Sequence, residues 1–282
     1  MAEREPDSSE VPFAEITPAP RWRAIALGEL WRYRELAYFL AWRDVKVRYK
    51  QTVLGVAWAV LQPVMTMIVF TVFFGRLGGM AEATEVPYPI FVYAALLPWQ
   101  FFATAVAQSG ASLVGASNLI SKVYFPRLIV PLASTGAALV DLAVSFGVMA
   151  LLMVWYGYVP TLATLALPLL VLAVLIAALG VGTLLAGLTV AYRDFRYVVP
   201  FLVQMWMLAS PVAYPLSEVP DRWRAVYALN PMAGIIGAFR ASLLGEPMPW
   251  SELAISLTVA LVALVGGAYY FRSVERRFAD IV

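Results

Sequence analysis

"LATLALPLLVLAVLIAALGVGTLLAGLTVA", Leu162 to Ala191, contains no charged side chain from end to end. A helix of that length reaches ~45 Å at 1.5 Å per residue, more than the ~30 Å hydrocarbon core of a bilayer. It therefore reads as a membrane span. The whole chain agrees: 62% of its 282 residues are hydrophobic and 13% are charged, where a soluble domain needs roughly 25% charge to cover its surface.

Working outward, five more stretches fit the same reading. Residues 54–74 are free of charge, with Gln62-Pro63 near the middle. Residues 88–108 contain Pro98, and residues 128–156 carry a single charge, Asp141. Residues 197–216 are interrupted by Pro200 and Pro211, and residues 253–271 close the set. The expectation is an all-α integral membrane protein with six transmembrane helices.

Lys and Arg orient it. With the N-terminus inside, the inner segments hold 16 of them and the outer segments 4, namely Arg76, Arg222, Arg224 and Arg240. That satisfies the positive-inside rule and places both termini in the cytoplasm. Residues 1–28, opening "MAEREPDSSEVPFAEITPAP", are acidic and Pro-rich without an apolar core, so they read as a disordered cytoplasmic tail and not as a signal peptide. Residues 29–275 form the transmembrane unit, and 276–282 a cytoplasmic C-terminus.

Residues 29–51 read as a helix along the membrane surface. Leu30, Tyr33, Ala37, Leu40 and Ala41 share one arc; Arg32, Arg43, Lys46 and Lys50 share the opposite one, and Asp44 can pair with Arg48. Trp31, Tyr38 and Trp42 suit the headgroup level. An interfacial anchor explains the sorting by face; an ordinary basic flank explains the charges alone. Residues 217–252 are too apolar for a plain loop and too rich in proline for a span. Asn230-Pro231 is a helix start, and "MAGIIGAFRASLLG" a short helix ending near Gly245. It either re-enters the outer leaflet or lies flat on it.

Much chemistry is excluded. The chain has neither Cys nor His, so thiolate or imidazole metal sites and His-based catalysis are impossible. Its lysines, Lys46, Lys50 and Lys122, form no phosphate loop. No cofactor, no catalytic residue and no nucleic-acid partner is expected; the chain is not an enzyme by itself.

Asp141 is the intramembrane acid. It is either a proton carrier or a structural group bonded to Gln62, Gln108, Gln204 or Ser145, and a single ionisable group favours the second role. Ala178, Gly182 and Ala186 admit close approach of another helix, within the chain or across a dimer. Trp58, Gln62, Phe70 and Phe74 on the first span, with Gln204, Trp206 and Tyr214 on the fifth, could stack against and hydrogen-bond sugar rings in a conduit. Contact with lipid is the plainer role for each.

Between the second and third spans, "SNLISKVYFPRLIVP" (residues 117–131) is short, greasy and cationic. Taken with residues 36–74, 192–215 ("YRDFRYVVPFLVQMWMLASPVAYP") and 230–245 ("NPMAGIIGAFRASLLG"), it makes the chain resemble the membrane subunits of bacterial polysaccharide ABC exporters. The resemblance implies a homodimer in the cytoplasmic (inner) membrane with two copies of an ATP-binding subunit. It implies that ATP and Mg²⁺ belong to that subunit, and that the substrate is an undecaprenyl-linked polysaccharide such as O-antigen. It gives residues 118–131 a role as coupling helix, with Leu119, Ile120 and Val123 making apolar contact, Lys122 and Arg127 meeting acids, and Asn118 at the start. Pro126 would end that helix before the third span. Arg193, Asp194 and Arg196 form a second candidate contact. The rival readings are an ion-coupled transporter built on Asp141 and a membrane transferase acting on polyprenyl sugars.

Overall fold

One helix, α4 (Tyr88–Gly115), is enclosed on nearly every side, and the others are arranged around it. The computed structural model describes residues 27–50, 53–192 and 194–275. Residues 1–26 and 276–282 of the expected tails, Gln51, Thr52 and Arg193 lie outside the described residues. Every described element is helical or irregular: α1 (Leu27–Arg32), α2 (Arg34–Lys50), α3 (Val53–Phe70), α4, α5 (Ser117–Ile120), α6 (Ile129–Ser134), α7 (Gly136–Tyr156), α8 (Leu167–Ala191), α9 (Phe195–Leu208), α10 (Asp221–Ala228), α11 (Pro231–Leu244) and α12 (Trp250–Glu275).

Pro89 sits in the first turn of α4, where a missing N–H leaves no bond unmade. Tyr93, Trp99 and Phe102 are buried along the helix. Its tightest neighbour is α8: a Cβ on Gly182 would stand 2.7 Å from Cβ of Ser109. On its other flank α8 meets α12, where a Cβ on Gly267 would lie 2.4 Å from the Gly180 carbonyl. Apolar side chains gain little by leaving lipid, so such close backbone approach carries the packing. Ala178 and Ala186 are also buried within this chain, so the four-residue stripe is used internally.

The contacts fix directions. Gly180 meets Leu264 and Gly187 meets Tyr270, so α8 and α12 run parallel, and α4 runs with them. Tyr93 Oη donates to the Ser145 carbonyl at 3.3 Å and Gln108 to the Ser134 carbonyl at 2.8 Å, so residues 134–145 run antiparallel to α4. Along α9 and the residues after it, Val199 lies beside Gly110, Trp206 packs edge-on to Phe102, and Ala213 accepts from Tyr88 Oη at 2.6 Å. Residues 195–213 therefore run antiparallel to α4 over most of its length.

Among the described residues five helical segments are long and apolar enough to cross a membrane: Ala57–Leu77, Tyr88–Gly115, Ile129–Tyr156, Leu162–Ala191 and Trp250–Glu275. The expected fifth span differs. Its helix, α9, has 14 residues, ~21 Å at 1.5 Å per residue, and the chain continues irregularly from Ala209 to Pro215.

Expectations for α2 are partly overturned. The arc bearing Tyr33, Ala37, Leu40 and Ala41 packs against the protein, with Leu40 buried and Ala41 touching Gly136 of α7. The outward face mixes Trp31, Tyr38, Phe39, Trp42 and Val47 with the exposed cations. Asp44 does not pair with Arg48: it takes Arg43 at 2.8 Å, because Arg48 is turned towards α7 and Asp141.

Candidate functional site

At the end of the bundle where α2 lies, a small apolar cluster of Leu40, Leu113, Phe125, Ile129, Val190 and Phe271 ties six segments together. The segment expected to meet an ATPase protrudes from this cluster. Helix α5 is one turn long, and backbone bonds carry the turn to Val123, whose N–H donates to Leu119 O at 3.1 Å. The chain is irregular at Phe125, as expected ahead of Pro126.

The side chains divide sharply. Leu119 and Ile120 pack against the cluster beneath them. Asn118, Lys122 and Val123 are exposed, and Tyr124 is 93% exposed. Arg127 is held by the chain itself: its Nη1 donates to the Glu275 carbonyl at 2.6 Å and its backbone N to Glu275 Oε1 at 3.3 Å. So the outward surface is Lys122, Val123 and Tyr124. From sequence Tyr124 reads only as a ring that dips into headgroups, because phenol rings abound in membrane flanks; its place two residues before Pro126 was the available signal. Of the second cluster, Asp194 and Arg196 are exposed at the start of α9.

The seven conduit candidates also part company. Trp58, Gln62 and Phe74 stand on the exposed side of α3 and its π-helical continuation Thr71–Leu77, and Gln204 stands on the exposed side of α9. Phe70 turns inward, 7% exposed, edge-on to Phe74. Trp206 also turns inward, donating from Nε1 to Asn230 Oδ1 at 3.0 Å. Tyr214 is half-buried; its hydroxyl donates to Leu208 O at 3.2 Å and accepts from Tyr227 Oη at 3.1 Å.

Asp141 is paired, though not with the groups expected. Arg48 Nη2 lies 2.7 Å from Asp141 Oδ2, and Tyr49 Oη donates to Asp141 Oδ1. Gln108, with its amide set to satisfy both neighbours, accepts from Arg48 Nη1 at 2.7 Å and donates to Ser134 O at 2.8 Å. Gln62 and Ser145 line a cleft of about 30 Å³ beside the acid. The partners come from α2, 92 residues away in sequence.

The residue most missed is Arg240, counted from sequence as an outer-loop charge. It is 2% exposed, stacked 3.6 Å over the Phe91 ring. It donates to Val212 O at 2.7 Å, Phe91 O at 3.2 Å and Tyr214 O at 3.3 Å. These carbonyls include the ones freed where α9 breaks, and a guanidinium supplies the fork of donors to satisfy them. An arginine inside an otherwise apolar helix was the sequence signal.

Helix α11 presents Arg240. Asn230 caps it, accepting from Met232 N at 3.0 Å; Pro231 opens it; Gly245, at φ +78°, ends it. All of its residues from Pro231 to Leu244 are buried. Asn230 Nδ2 also donates to Ala209 O at 3.1 Å and Ser210 Oγ at 2.9 Å, so one side chain joins the end of α9 to the start of α11. Nearby, burial pushes the Glu246 carboxyl above its ordinary range against the pull of Arg240. Among the described residues no group of three or more Asp or Glu converges as a metal site would require.

Comparison with known proteins accords with this architecture. The sequence profile of a family described as ABC-2 type transporter matches residues 35–244. The chain is 31% identical over 258 residues to the O-antigen export system permease protein RfbA of Myxococcus xanthus, covering 90% of this chain and 98% of that one. It is 25% identical to the protein of the same name from Klebsiella pneumoniae, over 85% of this chain and 92% of the relative. To the polysialic acid transport protein KpsM of Escherichia coli it is 24% identical, over 81% and 89%.

Proposed function

The chain belongs to the ABC-2 type transporter family, and from that premise we propose that it is the membrane subunit of an ATP-driven polysaccharide exporter, with O-antigen as the cargo. The observation that carries this reading is the 31% identity over 98% of an O-antigen export permease.

Six crossings complete the reading. Helices α4, α8 and α12 run one way, so the chain must return between Ala191 and Trp250; α9 with residues 209–215 supports that return. Helices α10 and α11 then form a re-entrant pair, supported by the enclosure of α11 and by Asn230 lying at the depth of Ser256, whose Oγ donates to Asn230 O at 3.3 Å. Both termini and the 117–127 loop face the cytoplasm of a bacterial cell, in its inner membrane.

Two copies of the chain assemble around a conduit. Little of α3 is buried and α9 buries Val199 alone, so their outer faces need cover from a second copy or from lipid. The second copy leaves Trp58, Gln62, Phe74 and Gln204 to meet an undecaprenyl-linked glycan, and an uncharged wall lets a polymer slide without sticking. Two ATPase subunits bind ATP and Mg²⁺ and push on Lys122, Val123 and Tyr124. Closure of the ATPases shifts these loops, and through the apolar cluster beneath them the helices at the conduit.

The test is reconstitution in vesicles with the ATPase subunit. Export of lipid-linked glycan that needs ATP and stops with vanadate is the expected result. Transport by this chain alone, abolished by an uncoupler, would instead point to ion coupling through Asp141, a reading that the pairing of Asp141 with Arg48 disfavours.

A further inference from the structure

Helix α3 is a span with little to hold it. Only Pro63 and Phe70 are buried among its described side chains, and its neighbours are α4 and α7. Yet its first residue, Val53, follows closely on Arg48 and Tyr49, which grip Asp141 of α7 while Arg48 also engages Gln108 of α4. Three helices thus meet in one polar knot at the end of α2, shortly before α3 begins. Farther along, α3 is separated from α4 and α7 by the small cleft lined by Gln62, Gln100, Thr104, Asp141 and Ser145. At its far end it passes into a π-helical turn, with Gly75 against the ring of Tyr88. The span therefore has polar bonds beside its start and apolar contacts at Phe70 and Gly75 towards its far end, with little buried between them.

Resting on the reading of α3 as a conduit wall, we propose that Asp141 is a positioning residue for export: with Arg48 and Tyr49 it forms the fixed pin about which α3 swings. A half-buried ion pair in an apolar surround suits this task. Its geometry is specific, and removing one partner leaves a charge stranded in a medium that tolerates it poorly. Aspartate takes the guanidinium on one oxygen and the phenol on the other, so two successive residues at the end of α2 are held. A proton carrier requires the opposite, an acid whose partner lets go.

The chain has no cysteine, so paired labels can be placed without background. Spin labels at Val69→Cys on α3 and Leu172→Cys on α8, both exposed sites, report the position of α3 against the core. Leu172→Cys with Val262→Cys on α12 is the control pair. Labelled chains are diluted into unlabelled ones so that only distances within a chain are read. In Asp141→Asn, Arg48→Met and the milder Tyr49→Phe, the α3–α8 distance distribution should broaden while the α8–α12 distribution stays unchanged. Reversing the pair, Asp141→Arg with Arg48→Asp, should narrow it again.

Export in the reconstituted complex is measured alongside. Each single change at Asp141 or Arg48 should lower it by about tenfold, and the reversed pair should recover most of it. An unchanged α3–α8 distribution in all three single variants overturns the pin. So does a reversed pair that stays inactive despite a restored distribution, since that outcome marks the carboxylate itself as the working group. If the unaltered complex fails to export glycan, the proposed function falls, while the distance measurements still decide the pin.

Discussion

Arg240 Nη2 stands 2.7 Å from the carbonyl oxygen of Val212, joining a helix near the end of the chain to the point where α9 gives out. Three carbonyls and an aromatic face converge on this one guanidinium. Replacing it with Met preserves most of the volume but strands acceptors in a water-poor site. Each orphaned acceptor costs ~1–3 kcal/mol. Arg240→Met should lower the melting temperature of the detergent-solubilised chain by roughly 10 °C, and Arg240→Lys, with fewer donors and no planar fork, by a smaller amount. A melting curve unchanged by Arg240→Met would show that the three bonds carry no weight.

The protruding loop makes a second prediction. Tyr124 and Lys122 face outward while Leu119 and Ile120 pack inward. Tyr124→Ala with Lys122→Glu should remove at least ~2 kcal/mol of binding to the ATPase subunit, the range of an interfacial aromatic anchor, without altering the melting temperature of the isolated chain. Leu119→Ala should do the reverse. Co-purification yield and thermal denaturation, measured on the same preparations, separate the two.

The contact between α8 and α12 leaves no room for a side chain at Gly267. Gly267→Val should force the helices apart and cost ~1–3 kcal/mol, as overpacking does. Gly266, one residue away, has nothing near its Cβ position. Gly266→Val is the control and should be tolerated, which thermal unfolding of the two variants checks.

Glu246 gives a pH dependence. Its carboxyl is pushed above the usual 4.5 by burial, more than Arg240 pulls it down. An acid with a raised pKa in the folded state contributes stability below the unfolded value and loses it as pH rises through the folded value. The melting temperature of Glu246→Gln should therefore match the native chain's near pH 4 and exceed it near pH 7. A variant less stable at neutral pH would reverse the sign and show that attraction to Arg240 outweighs burial.

Much of this architecture was legible in the sequence, and the reason is local. Asn230, Pro231 and Gly245 declare the limits of α11 because caps act within one turn, and long uncharged runs declare spans because lipid tolerates little else. What stayed hidden depends on distance in the chain. Asp141 finds Tyr49 across 92 residues, with Arg48 beside it, which no spacing rule anticipates. Phe70 and Trp206 turn inward because α3 and α9 each present one side to α4, and helical periodicity in an all-apolar segment does not reveal which side. Arg240 passed for a loop charge because counting cations assumes that they seek water.

The clasp around α9 also imposes an order on synthesis. Trp206 leans on Asn230, and the carbonyls of Val212 and Tyr214 await Arg240, all of which leave the ribosome later. The 14-residue α9, short for a span, should stay within the insertion machinery until its downstream partners arrive. Release into the bilayer should then await the synthesis of α11, and a premature stop between the two should leave a fragment that membrane proteases clear.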